Sequence, residues 1–172
     1  NKYLNNQLAA AMITLPSTLG IFDKNIEEIC AKIHNHGGLV YGDGANLNAL
    51  LGKIKLGSLG FDVVHSNLHK TFSTPHGGGG PGSGPVMVNE KLSKYLPTPL
   101  ITKTNTENNS EFYNLIDSND TTIGPLGTFH GNFGLLLRAY VYIRILGREG
   151  ISNISEDATL NANYIKAKLE NI

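Results

Sequence analysis

Apolar positions fall into short blocks, and their period changes along the chain. Ala9 to Leu15 is almost continuously apolar and ends at Pro16-Ser17-Thr18, which predicts a buried strand. Ile26, Ile29, Cys30 and Ile33 then recur at the spacing of one helical face. Asp23 is placed to cap that helix, with Glu27 and Glu28 in its first turn and Gly37-Gly38 at its end. Leu39-Val40-Tyr41 opens a second strand that ends at Asp43, and a short helix follows from about Asn46 to Leu51. Phe61 to His65 predicts a third short strand, with Lys70 in the loop after it.

Strand, helix, strand, helix, strand predicts an α/β fold, a mainly parallel sheet covered by helices. Ligands of such sheets sit beyond the carboxyl ends of the strands, and Asp43 and Lys70 both fall there. Gly77 to Gly80 and Pro81-Gly82-Ser83-Gly84-Pro85 form a glycine-rich loop before a strand at Val86-Met87-Val88 and a short helix from Glu90 to Leu96. Residues 97 to 123 are polar and without period, and they read as a long surface connection. The segment 132 to 147 is apolar and helical, ending at Gly147, and a last helix runs from about Ser155 to the end. The domain reading is a cofactor-binding part over 1–100, a connection over 101–123, and a helical segment over 124–172 leading to a smaller C-terminal domain.

The chain has 172 residues, 40% of them hydrophobic, enough for one sizeable core. Its 14 basic and 14 acidic residues cancel, so charge points to neither nucleic acid nor a membrane surface. A single cysteine, Cys30, excludes an internal disulfide and favours a reducing compartment, read here as the cytoplasm. No apolar run has membrane-spanning length. The opening Asn1-Lys2-Tyr3 is neither an initiator Met nor a signal peptide, so a cut-out chain is expected.

The densest chemistry lies in Asp62-Val63-Val64-His65-Ser66-Asn67-Leu68-His69-Lys70-Thr71. A lysine past a strand end is ordinarily a solvated surface residue. This one stands among hydroxyls and imidazoles, ahead of a glycine-rich loop where backbone can approach a ligand. A lysine amine becomes a nucleophile toward a carbonyl when its surroundings lower its pKa. Asp43, in Tyr41-Gly42-Asp43-Gly44-Ala45-Asn46, reads either as a turn residue capping the next helix or as a carboxylate paired with a pyridinium nitrogen. Ala45 is small enough for a ring to lie over it. His34, His36, His65, His69 and His76 do not share the spacing of a metal site. The glycine run lacks the Gly-Lys-Ser or Gly-Lys-Thr ending of a phosphate loop and reads as a flexible linker or as a mobile loop over a site.

Asn67-Leu68-His69-Lys70-Thr71-Phe72, then Pro75-His76 and Gly77 to Gly80, Pro81-Gly82 and Gly84-Pro85, resemble the cofactor-lysine segment of glycine decarboxylase, the P-protein family of the glycine cleavage system. Pro16-Ser17-Thr18, His36-Gly37-Gly38, Asp43-Gly44-Ala45-Asn46 and Leu160 to Tyr164 fall where that family has them. Phe129 to Gly134 is most like the second subunit of the two-gene form. The resemblance implies the pyridoxal phosphate transferase fold of the aspartate aminotransferase type. It implies that Lys70 holds pyridoxal 5'-phosphate as a Schiff base, that Asp43 pairs with the ring nitrogen, and that Ala45 packs on the ring. His69 would reach the phosphate, with Ser66 and Thr71 as further donors, and His76 and Gly77 to Gly80 would cover the substrate. The implied activity is that of an oxidoreductase of glycine catabolism; the alternatives are another pyridoxal phosphate amino-acid decarboxylase or aminotransferase of the same fold, or a non-catalytic fragment that completes a partner's site. Glycine loses carbon dioxide, and its aminomethyl group passes to the lipoyl arm of the H-protein. The other subunit is the implied partner, in a hetero-oligomer (a heterotetramer). Leu19 stands where the family usually has His, Gly42 replaces a larger residue, and the family's upstream half is missing. The chain alone is therefore expected to be inactive.

Overall fold

A computed structural model describes residues 4–5, 7–80, 82–105, 111–117, 120–127 and 130–170. Pro81 and Phe129 of the motifs above lie outside them. The chain divides into two compact units, one of residues 1–87 with 131–172 and one of residues 88–130.

In the first unit, β1 (Ala10–Thr14), β2 (Leu39–Gly44) and β3 (Val63–Ser66) lie side by side and parallel. β4 (Val86–Val88) adjoins β3. The Ser66 N–H donates to the Pro85 carbonyl at 3.0 Å and the Leu68 N–H to the Ser83 carbonyl at 3.3 Å. The partner number falls as the donor number rises, which is the sense of an antiparallel return. Helix α1 (Ile26–Asn35) is the crossover between β1 and β2. It buries the predicted face, with Ile26, Cys30 and Ile33 packed against Leu15, Val40, Leu56 and Phe61. Short 3-10 turns occur at Leu47–Ala49 and Leu56–Leu59.

Several expectations are corrected. β1 is not a buried strand: it is the last strand of the sheet among the described residues, and its Met12 is 69% exposed. Asp23 does not cap α1; its carboxylate accepts from the Asn25 N–H at 2.9 Å, and Asn25 precedes the helix without a side-chain cap. Lys70 is not in a loop but in α2 (Leu68–Thr71), a single helical turn closed by the Asn67 carbonyl, which accepts from Lys70 and Thr71. Helix α4 (Phe133–Leu169) resumes immediately after a break at Gly147, whose φ of 61° only glycine adopts readily, rather than near Ser155.

The second unit corrects the reading of 97–123 as a patternless connection. β5 (Leu100–Asn105) and β6 (Glu111–Ile116) pair antiparallel from Leu100 opposite Ile116 to Asn105 opposite Glu111. Both faces of β6 are exposed, so no alternation of apolar and polar residues marks it. Asn89 caps α3 (Glu90–Ser93) through its side chain, which accepts from the Leu92 N–H at 3.2 Å.

Two contacts fix the strands that matter below. Asp62, 8% exposed, accepts from the Val40 N–H at 2.7 Å and meets His34 Nε2 at 2.8 Å. Its own N–H donates to the Val40 carbonyl at 2.9 Å. One buried carboxylate thus ties α1, β2 and the entry to β3. At Gly44 the backbones are so close that a methyl group there would stand 1.8 Å from the His65 carbonyl oxygen. Gly42, the departure from the family pattern, is filled by the Phe61 ring, which would lie 2.9 Å from an added methyl. Asp62→Ala leaves the Val40 N–H and His34 without this acceptor. It should cost about 2–3 kcal/mol in urea unfolding, and a loss below about 0.5 kcal/mol would show that the carboxylate is dispensable.

Candidate functional site

Parallel register places Thr14, Asp43 and His65 in one row, because Thr14 pairs with Asp43 and Asp43 with His65. Residues paired across neighbouring strands project to the same face, and Tyr41, two residues before Asp43, projects with them. The row lies at the carboxyl end of all three strands. The side chains bond along it. The Thr14 hydroxyl donates to Asp43 Oδ2 at 3.0 Å. The Ala45 N–H donates to Asp43 Oδ1 at 2.9 Å, and His65 Nε2 stands 3.3 Å from that same oxygen. Tyr41 Oη meets His65 Nδ1 at 2.9 Å, and Asn67 Oδ1 lies 3.3 Å from His65 Nε2. Burial first, and then the Asp43 charge, push the Tyr41 hydroxyl above its ordinary range.

Each carboxylate oxygen has two good acceptor directions. Oδ1 of Asp43 accepts from Ala45 and Oδ2 from Thr14, while His65 Nε2, bonded to Asn67 Oδ1, stands 3.3 Å from Oδ1. The carboxylate is therefore held by one donor on each oxygen, from β1 and from the backbone just after β2, and each oxygen keeps an acceptor direction. That arrangement suits an N–H donor of a ligand better than it suits a helix cap. The residue does not cap the 3-10 turn that follows, whose preceding Asn46 makes no side-chain cap.

β3 then leads into α2. Lys70 is exposed, and its amine has no hydrogen bond or ion pair among the described residues. No hydrogen bond or ion pair joins it to Asp43. His69 and His76 come together with ring centroids 4.6 Å apart. His76 Nδ1 accepts from the Gly79 N–H at 3.0 Å, closing a turn through Gly77, Gly78 and Gly79, all of positive φ. The loop from His76 to Gly79 is exposed, and added methyl groups at Gly78, Gly79 or Gly80 would meet nothing. Ser66 is buried, and its N–H is committed to Pro85.

Beside Lys70 are polar atoms with nothing to bond. His69 Nδ1, Thr71 Oγ1 and Thr74 Oγ1 are buried without a hydrogen-bond partner. Buried polar atoms are paired in the great majority of cases, so a cluster of unpaired ones within six residues marks a place for a polar group. Thr71 and His69 were expected from the sequence to face an anionic group, whereas Thr74 was not. Thr14, Tyr41 and His65 were also missed. Only the strand register, which a single sequence does not print, puts them beside Asp43. Among the described residues no group of three or more His, Cys, Asp or Glu could hold a metal ion. No helix there is long and apolar enough to cross a membrane.

No family model matches the chain. It is 54% identical over 169 residues to the probable glycine dehydrogenase (decarboxylating) subunit 2 of Nitrosococcus oceani, covering 98% of this chain and 34% of that protein. It is equally similar, at 54% over 166 residues, to the probable subunit 2 of Coxiella burnetii, covering 95% of this chain and 33% of that one. Its fold matches the crystal structure of glycine decarboxylase (P-protein) of the glycine cleavage system in inhibitor-bound form. The TM-score is 0.67 at 21% identity, over 86% of this chain and 34% of that chain. Mouse CSAD in apo form matches with a TM-score of 0.61 at 18% identity, over 95% of this chain and 33% of that chain. The fold is the aspartate aminotransferase type. Along nearly its whole length the chain is a relative of glycine dehydrogenase (decarboxylating) subunit 2, and it spans about a third of the length of those proteins.

Proposed function

We propose that this chain carries the cofactor-lysine part of a pyridoxal phosphate enzyme that decarboxylates glycine and passes the aminomethyl group to the lipoyl arm of an H-protein. The observation that carries the reading is Asp43. It is a carboxylate held by the Thr14 hydroxyl of β1 and the Ala45 N–H, with acceptor directions free, at the same end of the parallel sheet as an unpartnered lysine amine. The names of the relatives supply the substrate.

The residues fit the cofactor. Lys70 would hold it through its ε-amino group, Asp43 Oδ2 would accept from the ring N–H, and Ala45 would lie against the ring. His69 and Thr71 would turn their unpaired polar atoms to the phosphate, with Ser66 behind them. When bound, the cofactor supplies a sink for the electrons released as carbon dioxide leaves. The chain's own part is orientation and charge. Asp43 would keep a negative charge beside the ring nitrogen, and its bonds to Thr14 and Ala45 would hold its direction. His76 ties down the glycine turn, whose open surface is free to approach a small substrate such as glycine. The rest of the site would come from the other two-thirds of the relatives' length and from the other subunit of a hetero-oligomer, in the cytoplasm.

Three outcomes test this. Borohydride treatment of the assembled enzyme with pyridoxal phosphate should fix the label on Lys70, and peptide mapping that found it on another lysine would refute the assignment. Asp43→Asn should keep the fold and lower glycine-dependent carbon dioxide exchange about a hundredfold or more; near-normal turnover would leave Asp43 a purely structural residue. His69 is held below the ordinary histidine value of 6.5 by burial first and then by His76 and Lys70. In the window between its lowered value and 6.5 the unfolded chain binds more protons, so His69 makes stability rise with pH there and costs stability as pH falls. An NMR titration placing the His69 midpoint at or above 6.5 would remove that contribution.

A further inference from the structure

The turn that closes on His76 uses one nitrogen of its ring and leaves the other over. His76 Nδ1 lies 3.0 Å from the Gly79 nitrogen and accepts its N–H. A backbone N–H can only donate, so Nδ1 is bare and the hydrogen of the neutral ring stands on Nε2. A proton on Nδ1 as well would set two donors face to face, so the bond exists only with the ring uncharged. Gly77, Gly78 and Gly79 have φ of 61°, 67° and 123°, a run that residues bearing a side chain rarely adopt. The turn thus presents an exposed, neutral Nε2–H, and that nitrogen has no hydrogen-bond partner among the described residues. Its place is beside the lysine's own helical turn. The His76 ring meets the ring of His69 at 4.6 Å between centroids, tilted by 58°, and His69 immediately precedes Lys70 in α2.

We infer that His76 grips the carboxylate of the substrate through its Nε2–H. This rests on the pyridoxal phosphate reading given above and deepens it, by naming the part of glycine that the loop recognises and the atom that recognises it. In an α-amino acid the carboxylate lies only two bonds from the nitrogen. A donor for it must therefore belong to a residue packed against the turn that carries the reactive lysine, as His76 does. No carboxylate among the described residues pairs with His76 or Lys70, so nothing acidic competes there. Added methyl groups at Gly78 and Gly79 would meet nothing, which leaves room for a small molecule beside the donor. Neutrality suits the reaction. The charge of the carboxylate disappears as carbon dioxide leaves, so any stabilisation of that charge in the bound substrate is given up in the transition state. A cation in this place would hold the ground state more tightly and raise the barrier, whereas a neutral N–H orients the carboxylate and lets it go.

Two substitutions separate the two nitrogens. The Oδ1 of asparagine falls where Nδ1 of histidine was, and the Nε2 of glutamine falls where Nε2 was. His76→Asn therefore keeps an acceptor for the Gly79 N–H and loses the outward donor, while His76→Gln keeps the outward donor and loses the acceptor. In the assembled enzyme loaded with pyridoxal phosphate, binding of glycine and of methylamine, an amine with no carboxylate, can be followed through the absorbance of the cofactor. His76→Asn should weaken glycine binding about tenfold and leave methylamine binding unchanged, and KM for glycine should rise with kcat nearly constant. His76→Gln should bind glycine more tightly than His76→Asn does. If His76 served the turn alone, the order would reverse: His76→Asn would behave as wild type, and His76→Gln would weaken both amines. That order overturns the inference, as does a His76→Asn variant that loses glycine and methylamine alike. A wild-type enzyme that shows no glycine-dependent change in absorbance overturns the pyridoxal phosphate reading and this inference with it, whereas an active wild type with the reversed order overturns this inference alone.

Discussion

Parallel pairing of β2 with both of its neighbours is the constraint on which the rest depends. Register alone brings Thr14, Asp43 and His65 abreast, although they are far apart in sequence. Once abreast on one face of a pleated sheet, their side chains have little choice but to bond to one another. The carboxylate thus takes its orientation from the backbone ladder, which is far stiffer than any loop. The core beneath the sheet keeps the ladder in place. Val40 is fully buried in β2, the Leu15, Ile26 and Cys30 cluster packs against it, and Asp62 bonds to its backbone on both sides.

The two halves of the site are built on opposite principles. Around Asp43 the neighbouring polar side chains have partners, and the carboxylate itself takes one donor on each oxygen. Around Lys70 the pattern reverses: His69 Nδ1 and Thr71 Oγ1 are buried and unpaired, while the lysine amine is exposed and unpaired. A satisfied network is rigid, whereas an unsatisfied one costs stability until something fills it. On the proposed reading, the first half sets direction and the second supplies free energy for binding. His69, whose charged form is disfavoured by its surroundings, belongs to the second half.

Much of this was legible in the sequence where the signal is local. The helical face of Ile26, Cys30 and Ile33, the stop at Gly37, the strand ending near Asp43 and the placement of Lys70 beyond β3 all follow from spacing and turn chemistry. What was not legible depends on neighbours. Ala9 to Leu15 is apolar enough to be buried, but burial is decided by which strand lies beside it, and the outer side of β1 has none among the described residues. β6 is exposed on both faces and so has no period to read. The helical turn holding Lys70 is too short to show one. Tyr41 and His65 looked ordinary because only the strand register brings them beside Asp43.

The close approach at Gly44 has a consequence for how this chain tolerates change. The residue has no side chain and takes part in no chemistry, yet the His65 carbonyl leaves no room for even one carbon more. In a library of random substitutions, position 44 would be as intolerant as Asp43 or Lys70, and a survey of survival alone would class the three together. The reasons differ in kind. On the proposed reading, replacing Lys70 removes a reactive group from an intact surface, whereas replacing Gly44 pries apart the two strands that carry Asp43 and His65. Intolerance at this spot therefore measures the width of a gap between backbones, and the chemistry beside it inherits that intolerance without having caused it.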